Sequence, residues 1–496
     1  MSQFQFENKR FNRRNFMQAA GATVGAASLG GLLAACGGGG AGASDQVTVT
    51  FWDWWVTQAP WVDNEIKLFE KAHPKIKIKK TTQATAQYEN LLNLAAKNGN
   101  LPDVFGLKTG TTKYPDMVKK GWLLPLDKWA DDKWRKRFPE GYFREGGNIQ
   151  QGKLYSAPLM GPAPWVQLYV HNSIFKDAGL TNPDGSVKLP KTWDDVTHAA
   201  EAIVKKSGGK VYGLGFGNNG FDFIPWWADV FLYGAGSPGA SNGLDYRTGK
   251  YVYSSDRNYE DFLSLFLEWK KRGYIYPSSL SISDEISRVH FTQGKFGMIV
   301  GGVWNQGGWD KQKFTDYSLT TLISPTETPK GYFYHTPGNI DDSIQISISN
   351  KTKHPDEAWA WFEWIYSPEA GQRWVEMREG VSIYPENNKK ENVKDPRFGQ
   401  FIELTKLTIP GPNPSVRNPA CSSVTMDPVK PNFGETCTGL YTGQLGNVKT
   451  ALSELEDKMN QEFAKAIKRA QDQGLKVSEK DYVFSDWDIT KPYYMK

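Results

Sequence analysis

Cysteine and histidine are scarce in this chain of 496 residues, which contains three cysteines and six histidines. The histidines are not clustered and the cysteine spacing does not suit a zinc site, so we expect neither a metal nor a cofactor. The sequence also lacks a G-x-S-x-G elbow, a phosphate loop and an H-E-x-x-H pair. The usual signatures of esterases, nucleotide-binding enzymes and zinc peptidases are therefore missing.

Long apolar runs and charge of one sign are missing as well. No stretch after residue 40 provides the roughly 18 apolar residues of a membrane span. The formal net charge is only +5, and the one basic run, residues 75–80, alternates with isoleucine as in a half-buried strand. We therefore expect no nucleic-acid partner. With 39% apolar and 23% charged residues, the length suits a soluble protein of two large lobes.

The first 45 residues have the pattern of an export signal followed by a tether. A basic region, Lys9–Arg14, precedes an apolar stretch that ends at Leu33-Ala34-Ala35-Cys36. This pattern predicts a lipoprotein signal peptide over residues 1–35 with Cys36 as the lipidated residue. Arg13 and Arg14 also fit a twin-arginine signal, so the export route stays open. Residues 36–45, rich in glycine, are predicted to form a flexible tether to the outer face of the membrane.

Two cysteines remain after Cys36, namely Cys421 and Cys437. In an exported protein such a pair favours a disulfide, which would add about 3 kcal/mol of stability in the chain-entropy model. The alternative is two separate thiols. We expect the disulfide.

Strand and helix patterns alternate along the rest of the chain. Alternating apolar residues predict strands at 47–51, 76–78, 101–105, 296–300 and 344–348. Helical spacing predicts helices at 62–72, at 88–97, after Trp193, from about Pro355 and from about Asn447. This order indicates an α/β fold with mainly parallel sheets.

A cluster of aromatic residues lies at the end of the first predicted strand, in the segment Phe51-Trp52-Asp53-Trp54-Trp55. We expect Phe51 and Trp52 to be buried, because both faces of a parallel strand are covered. Beyond them Asp53, Trp54 and Trp55 lie where ligands of open α/β sheets bind. Indoles there can pack in the core, or they can form a platform for a flat-faced ligand.

Several segments, in order, resemble one family. They are "FWDWW", "LPDVFGL", "MVKKGWLLPLDKW", "GKLYSAPLMGPAPWVQLYVHNSIFKDAGL", "LPKTWDDVTHAAEAI", "FTQGKFGMIVGGVW" and "ISISNKTKHPDEAWAWFEWIYSPEAGQRW". Together they resemble the extracellular solute-binding proteins (family 1, maltose-binding-protein-like) of bacterial carbohydrate ABC importers.

The resemblance implies an α/β, two-lobe, periplasmic-binding-protein-like fold with a ligand cleft between the lobes. Lobe 1 would comprise residues 46–167 and 323–366, and lobe 2 residues 168–322 and 367–496. The chain would capture a sugar or oligosaccharide and deliver it to the transmembrane permease subunits of an importer. It would act as a monomer held to the membrane by its lipid anchor.

The resemblance also implies ligand-binding residues. They are Asp53, Trp54, Trp55, Lys108, Thr109, Trp165, Asp222, Trp226, Trp304 and Asp342. Aromatic rings would stack on the apolar faces of a sugar while carboxylates bind its hydroxyl groups.

Two other functions stay open at this point. The ligand could be a non-sugar solute, such as a peptide, a polyamine or a phosphorylated compound, because peptides also stack on aromatic rings. An extracellular carbohydrate-active enzyme would need a positioned pair of carboxylates. The adjacent pair Asp194-Asp195 is better explained as the start of a helix, where acidic residues are favourable, so we expect no enzyme activity.

Overall fold

The computed structural model describes residues 46–85, 87–108, 112–219, 224–339 and 343–495. Its strands are β1 Val47–Asp53, β2 Ile76–Thr82, β3 Val104–Leu107, β4 Ile149–Gln150, β5 Lys153–Leu154, β6 Ala157–Pro158, β7 Gln167–His171, β8 Tyr212–Leu214, β9 Leu244–Asp245, β10 Lys250–Tyr251, β11 Phe296–Gly301, β12 Tyr317–Thr320, β13 Phe333–His335, β14 Gln345–Ile348 and β15 Thr408–Pro410.

The α-helices of the same residues are α1 Ala59–Ala72, α2 Tyr88–Lys97, α3 Tyr114–Lys119, α4 Asp132–Arg135, α5 Asn172–Asp177, α6 Trp193–Ser207, α7 Ile224–Ala235, α8 Arg257–Lys271, α9 Asp284–Thr292, α10 Trp304–Lys311, α11 Pro355–Ile365, α12 Pro368–Glu376, α13 Pro396–Leu404, α14 Pro414–Arg417, α15 Phe433–Thr442 and α16 Val448–Asp472. The predicted α/β class is confirmed.

Two sheets organise the molecule, and both are mixed rather than mainly parallel. The first has the order β2-β1-β3-β14-β6, in which β1 is parallel to β2 and β3 but β14 is antiparallel to its neighbours. The second has the order β12-β7-β11-β8, in which β7 is antiparallel to both β11 and β12. The βαβ rhythm of the first hundred residues correctly indicates the parallel strands. The antiparallel strands come from parts of the chain that are distant in sequence from their partners.

Local signals account for several helix boundaries. Helix α1 ends at Ala72 because Pro74 follows and its C-cap, His73, leaves the helical conformation. Helix α6 begins with a capping box, in which Thr192 and Asp195 bind each other's backbone N–H groups. The pair Asp194-Asp195 thus opens this helix, as predicted. Asn447 caps α16 by accepting a hydrogen bond from the Thr450 N–H.

Each sheet has its own hydrophobic core. Phe51 of β1 packs with Trp61 of α1 and Trp361 of α11 under the first sheet. The larger core under the second sheet joins β7, α6, α7 and α8 to α16. Residues after α11 still belong to the first core, since Ala370 and Trp374 are buried there.

The two cysteines of the folded body are buried separate thiols, so the predicted disulfide is wrong. Cys421 lies in a short 3-10 turn at 419–423, where its carbonyl accepts a hydrogen bond from the Tyr482 hydroxyl at 3.4 Å. Cys437 lies in the middle of α15. Both belong to the large core of the second sheet, in which cysteine packs as a small apolar residue. Burial raises the pKa of the Cys421 thiol to about 12.

Candidate functional site

The carboxyl ends of β1, β2 and β3 meet at one edge of the first sheet, because these strands are parallel. Trp54 follows β1, Thr85 follows β2 and Lys108 follows β3. The Lys108 ammonium donates to the Thr85 carbonyl at 2.8 Å, and the Thr85 hydroxyl donates to the Trp54 carbonyl at 3.4 Å. Burial lowers the pKa of Lys108, and Glu89 opposes that shift. The three loops are thus joined through polar groups.

Asp53 lies beneath this edge rather than on it. It is the last residue of β1 and is 0% exposed. One carboxylate oxygen accepts a hydrogen bond from the Trp55 N–H at 3.0 Å. Burial raises the pKa of this carboxyl group, although the Thr82 hydroxyl and the Trp55 amide favour its charged form. In this arrangement Asp53 shapes the turn that follows β1.

The indoles of Trp54 and Trp55 have different surroundings. Trp55 is 1% exposed and packs edge-on against Phe51, with ring centroids 5.8 Å apart. Trp54 is partly exposed and lies over Gly106, where an added Cβ would be 2.6 Å from the indole ring. Tyr88 packs beside it at a centroid distance of 4.9 Å. Of the two neighbours, Trp54 is the one that can contact a ligand.

Three predicted site tryptophans meet at one edge of the second sheet. Trp226 packs edge-on against Trp165 at 5.3 Å and against Trp304 at 5.7 Å between ring centroids. Strand pairing explains the meeting, because Gly301 at the end of β11 pairs with Gln167 at the start of the antiparallel β7. Trp304 follows β11 and Trp165 precedes β7, so both lie at the same end of the sheet.

Trp165, Trp226 and Trp304 are together called the aromatic wall. One of their indoles is exposed to solvent. Trp165 is 40% exposed, which is unusual for the largest apolar side chain. Trp304 lies over Gly302, where an added Cβ would be 2.0 Å from the ring. Glycine at 302 therefore determines the position of Trp304. The aromatic wall can therefore bind a ligand that has a flat apolar face.

Asp229 supports the aromatic wall and was not predicted from the sequence. It lies on α7 one turn after Trp226, and its carboxylate accepts a hydrogen bond from the Ser241 N–H at 2.7 Å. Burial raises its pKa to about 7, while Ser241 and the Trp165 side chain oppose the shift. A signal was present, because Asp229 is the single charged residue in the twelve residues of α7.

Helix α10, which follows β11 of the second sheet, lies close to the loop that follows β1 of the first sheet. Trp304 begins this helix, and Gly308 lies one turn further along the same face. A methyl group added at Gly308 would be 3.8 Å from the Thr57 methyl group, which belongs to the loop after β1. The loop that contains Trp54 and the helix that begins with Trp304 are therefore neighbours.

Four predicted residues lie outside the described residues. They are Cys36, Thr109, Asp222 and Asp342. Within the described ranges, no group of three His, Cys, Asp or Glu residues is placed to hold a metal ion. None of the helices in those ranges is long and apolar enough to cross a membrane.

Comparison with known proteins gives one family and many similar folds. The family model described as bacterial extracellular solute-binding protein matches residues 34–372. A comparison with curated proteins gives no match.

Three solved structures illustrate the likeness of fold. The GacH receptor of Streptomyces glaucescens, described with acarbose, is 17% identical and has a TM-score of 0.63 over 84% of this chain and 99% of its own. An ABC transporter solute-binding protein from Thermotoga lettingae, described with α-D-tagatose, is 19% identical with a TM-score of 0.63 over 84% and 100%. MalE from Bdellovibrio bacteriovorus, bound to maltotriose, is 16% identical with a TM-score of 0.61 over 84% and 99%. The two-lobe fold predicted from the sequence is thereby confirmed.

Proposed function

The chain belongs to the bacterial extracellular solute-binding proteins, and from this membership we propose that it binds a sugar or oligosaccharide for an ABC importer. A protein of this family acts outside the cytoplasm, so the chain is exported. The observation that supports a sugar, rather than another solute, is the aromatic wall with its exposed Trp165.

A sugar ring matches this surface chemically. Its C–H faces are apolar and can stack on an indole, while its hydroxyl groups lie in the ring plane and need polar partners. Trp54 at the edge of the first sheet and Trp165 at the edge of the second sheet provide the stacking surfaces. Lys108, half-buried beside Trp54, can donate to a hydroxyl group. The similar structures named above are described with acarbose, tagatose and maltotriose, which are all carbohydrates.

Binding in this proposal needs closure of the lobes and no chemical step. The lobes predicted at 46–167 with 323–366, and at 168–322 with 367–496, would rotate about their connections and enclose the sugar. Ala370 and Trp374 pack in the first core, so this part of the chain would move with lobe 1 instead of lobe 2. Thr109, Asp222 and Asp342 remain proposed contacts in the loops that complete the cleft. The closed monomer would then be recognised by the permease subunits of the importer, and Cys36 would hold it at the membrane.

A thermal-shift panel tests the proposed ligand class. We expect at least one of acarbose, tagatose, maltotriose, raffinose and chitotriose to raise the melting temperature, because a ligand that binds only the folded state stabilises it. Spermidine and a tripeptide mixture serve as non-sugar controls and should leave the melting temperature unchanged.

The same samples test for turnover. Chromatography after prolonged incubation should recover the stabilising sugar intact, as expected for a binding protein. A shift with spermidine or peptides alone would contradict a sugar ligand, and hydrolysed sugar would contradict pure binding.

A further inference from the structure

The backbone on both sides of the exposed Trp165 is held by buried side chains. Gln167, the first residue of β7, is 0% exposed and donates from Nε2 to the Pro164 carbonyl at 2.6 Å. The hydroxyl of Thr321, which follows β12, donates to the Val166 carbonyl at 3.2 Å. The carbonyl groups of both neighbours of Trp165 are thus fixed from the second sheet, while the indole itself faces solvent.

The same strand also holds the turn before Trp304. Tyr169 lies two residues after Gln167 on β7, so the two side chains lie on the same face of the sheet. The Tyr169 hydroxyl is 3.0 Å from the Gly302 carbonyl and 3.2 Å from Gln167 Oε1, and its single proton is shared between these acceptors. The Gly302 carbonyl also accepts a hydrogen bond from the Asn305 N–H at 3.0 Å. Tyr169 therefore anchors the turn from which α10 begins.

The place of the Trp304 indole depends on this turn. A Cβ added at Gly302 would be 2.0 Å from the ring, so the indole lies directly against the glycine. A continuous chain of hydrogen bonds, called here the buried link, runs through Pro164, Gln167, Tyr169 and Gly302. It connects the residue before Trp165 with the residue that lies against the Trp304 ring. The two outer members of the aromatic wall are therefore joined through the interior of the second sheet.

Packing alone does not account for a glutamine at this place. All five residues of β7 are buried, and strands covered on both faces are usually apolar throughout. A fully buried amide is costly unless its hydrogen bonds are made, and both ends of the Gln167 amide have partners in the link. Gln167 and Tyr169 are each 0% exposed, so neither can contact a ligand at the aromatic wall.

We propose that Gln167 and Tyr169 are positioning residues, which hold the indoles of Trp165 and Trp304 in the arrangement that binds the sugar. Stacking requires that the spacing and tilt of the rings match the ligand. A wall that is fixed before binding loses less conformational freedom when the ligand arrives, and its affinity is correspondingly higher. The inference rests on the proposed function for its ligand, whereas the placement of the two rings can be measured without any ligand.

Calorimetric titration tests the effect on affinity. The full-length protein and its Tyr169→Phe variant are titrated with acarbose, tagatose, maltotriose, raffinose and chitotriose. The substitution removes only the hydroxyl group, and we expect the Kd to rise by about two- to tenfold, the cost of ordering a freed side chain on binding. Gln167→Leu breaks the same link and should raise the Kd similarly. The double variant should bind no more weakly than the weaker single variant, because both substitutions act through one link.

The matched control is Tyr384→Phe. It removes a buried hydroxyl group that donates to the Tyr366 carbonyl at 2.6 Å in the first core. We expect its Kd to equal that of wild type, even where its melting temperature falls as far as that of Tyr169→Phe. The comparison separates the position of the rings from the general loss of one buried hydrogen bond.

Fluorine NMR of protein labelled with 5-fluorotryptophan measures the placement of the rings without a sugar. The substitutions Trp165→Phe and Trp304→Phe each remove one resonance and so assign the two indoles. We expect Tyr169→Phe to shift or broaden both resonances, because the turns that carry the rings are no longer fixed. Tyr384→Phe should leave both at their wild-type positions.

The outcomes separate this inference from the proposed function. A Tyr169→Phe protein with the wild-type Kd overturns the inference, as do unchanged resonances of Trp165 and Trp304. An equal loss of affinity in Tyr384→Phe also overturns it. If Tyr169→Phe does not fold, Gln167→Leu decides by the same two measurements. Wild-type protein that binds none of the five sugars contradicts the proposed function, and the fluorine spectra then decide whether the link positions the rings.

Discussion

At the scale of single residues, the position of a residue relative to the end of its strand decides whether its side chain packs in the core or can contact a ligand. Phe51 is buried, as its parity with Val49 predicts. Trp52 is only partly buried, and Asp53 continues the strand instead of leaving it. Alternation of apolar residues cannot locate the last residue of a strand, because pairing with β2 extends to Asp53↔Thr82. The prediction that Asp53 faces the cleft assumed that the strand ends before residue 53.

Two tryptophan substitutions should therefore have different effects, one on sugar binding and the other on stability. Trp165→Ala removes the exposed indole of the aromatic wall, and we expect sugar binding to weaken by about 1–3 kcal/mol with a small change in melting temperature. Trp55→Ala leaves a cavity beside Phe51, and we expect the free energy of unfolding to fall by about 3–5 kcal/mol. Calorimetry measures the first effect and urea unfolding the second. Equal affinity for Trp165→Ala and wild type would remove this residue from the site.

At the scale of elements, local signals predict helices well and strand pairing poorly. Helix α2 was predicted at 88–97 and is found at Tyr88–Lys97, because its apolar spacing and its end are local properties. The antiparallel pairing of β14 with β3 joins residues about 240 positions apart, and nothing in either segment encodes the partner. For the same reason the sequence did not reveal that Trp165, Trp226 and Trp304 would touch.

Glu65 shows how three helices are held together by one such long-range contact. This carboxylate on α1 is fully buried and accepts two hydrogen bonds of 2.6 Å from Arg373 of α12. It also accepts one of 2.9 Å from the Trp364 indole of α11. A buried, bidentate pair of this kind is far more sensitive to the loss of one partner than an exposed pair.

We expect Glu65→Ala to lower the free energy of unfolding by about 3–5 kcal/mol, because it leaves Arg373 and Trp364 without their acceptor. Asp63→Ala on the same helix is the control. The Asp63 carboxylate is largely exposed and pairs with Lys80, so its removal should change the free energy by less than about 1 kcal/mol. Urea unfolding of both variants measures the difference. Similar losses would show that the buried pair adds nothing beyond an ordinary surface pair.

At the scale of the whole molecule, we propose that the folded body binds the ligand while the N-terminal segment attaches the protein to the membrane. The described residues begin at Gln46, and the tether predicted at 36–45 lies outside them. The family match begins at residue 34, just before Cys36. The fold and the family could thus be predicted from ordered motifs. That Cys421 and Cys437 form no disulfide could not be predicted, since whether these two cysteines meet depends on how the second core is assembled.

If these tasks are separate, membrane attachment and ligand binding should be separable by one substitution. Cys36→Ala removes the proposed lipidated residue without changing any residue of the folded body. We expect the variant to leave the membrane fraction and to appear as soluble exported protein, while its thermal shift with the stabilising sugar equals that of wild type. The reason is that a lipid on Cys36 would be the proposed membrane anchor, and Cys36→Ala removes its attachment site.

The matched control is Ser44→Ala, a substitution in the same glycine-rich segment that leaves Cys36 intact. It should remain in the membrane fraction. Fractionation followed by immunoblotting of the three proteins measures the effect. A Cys36→Ala protein that stays as firmly bound as wild type would assign the attachment to another part of the chain. A loss of sugar binding in that soluble variant would mean that the N-terminal segment and the cleft are coupled.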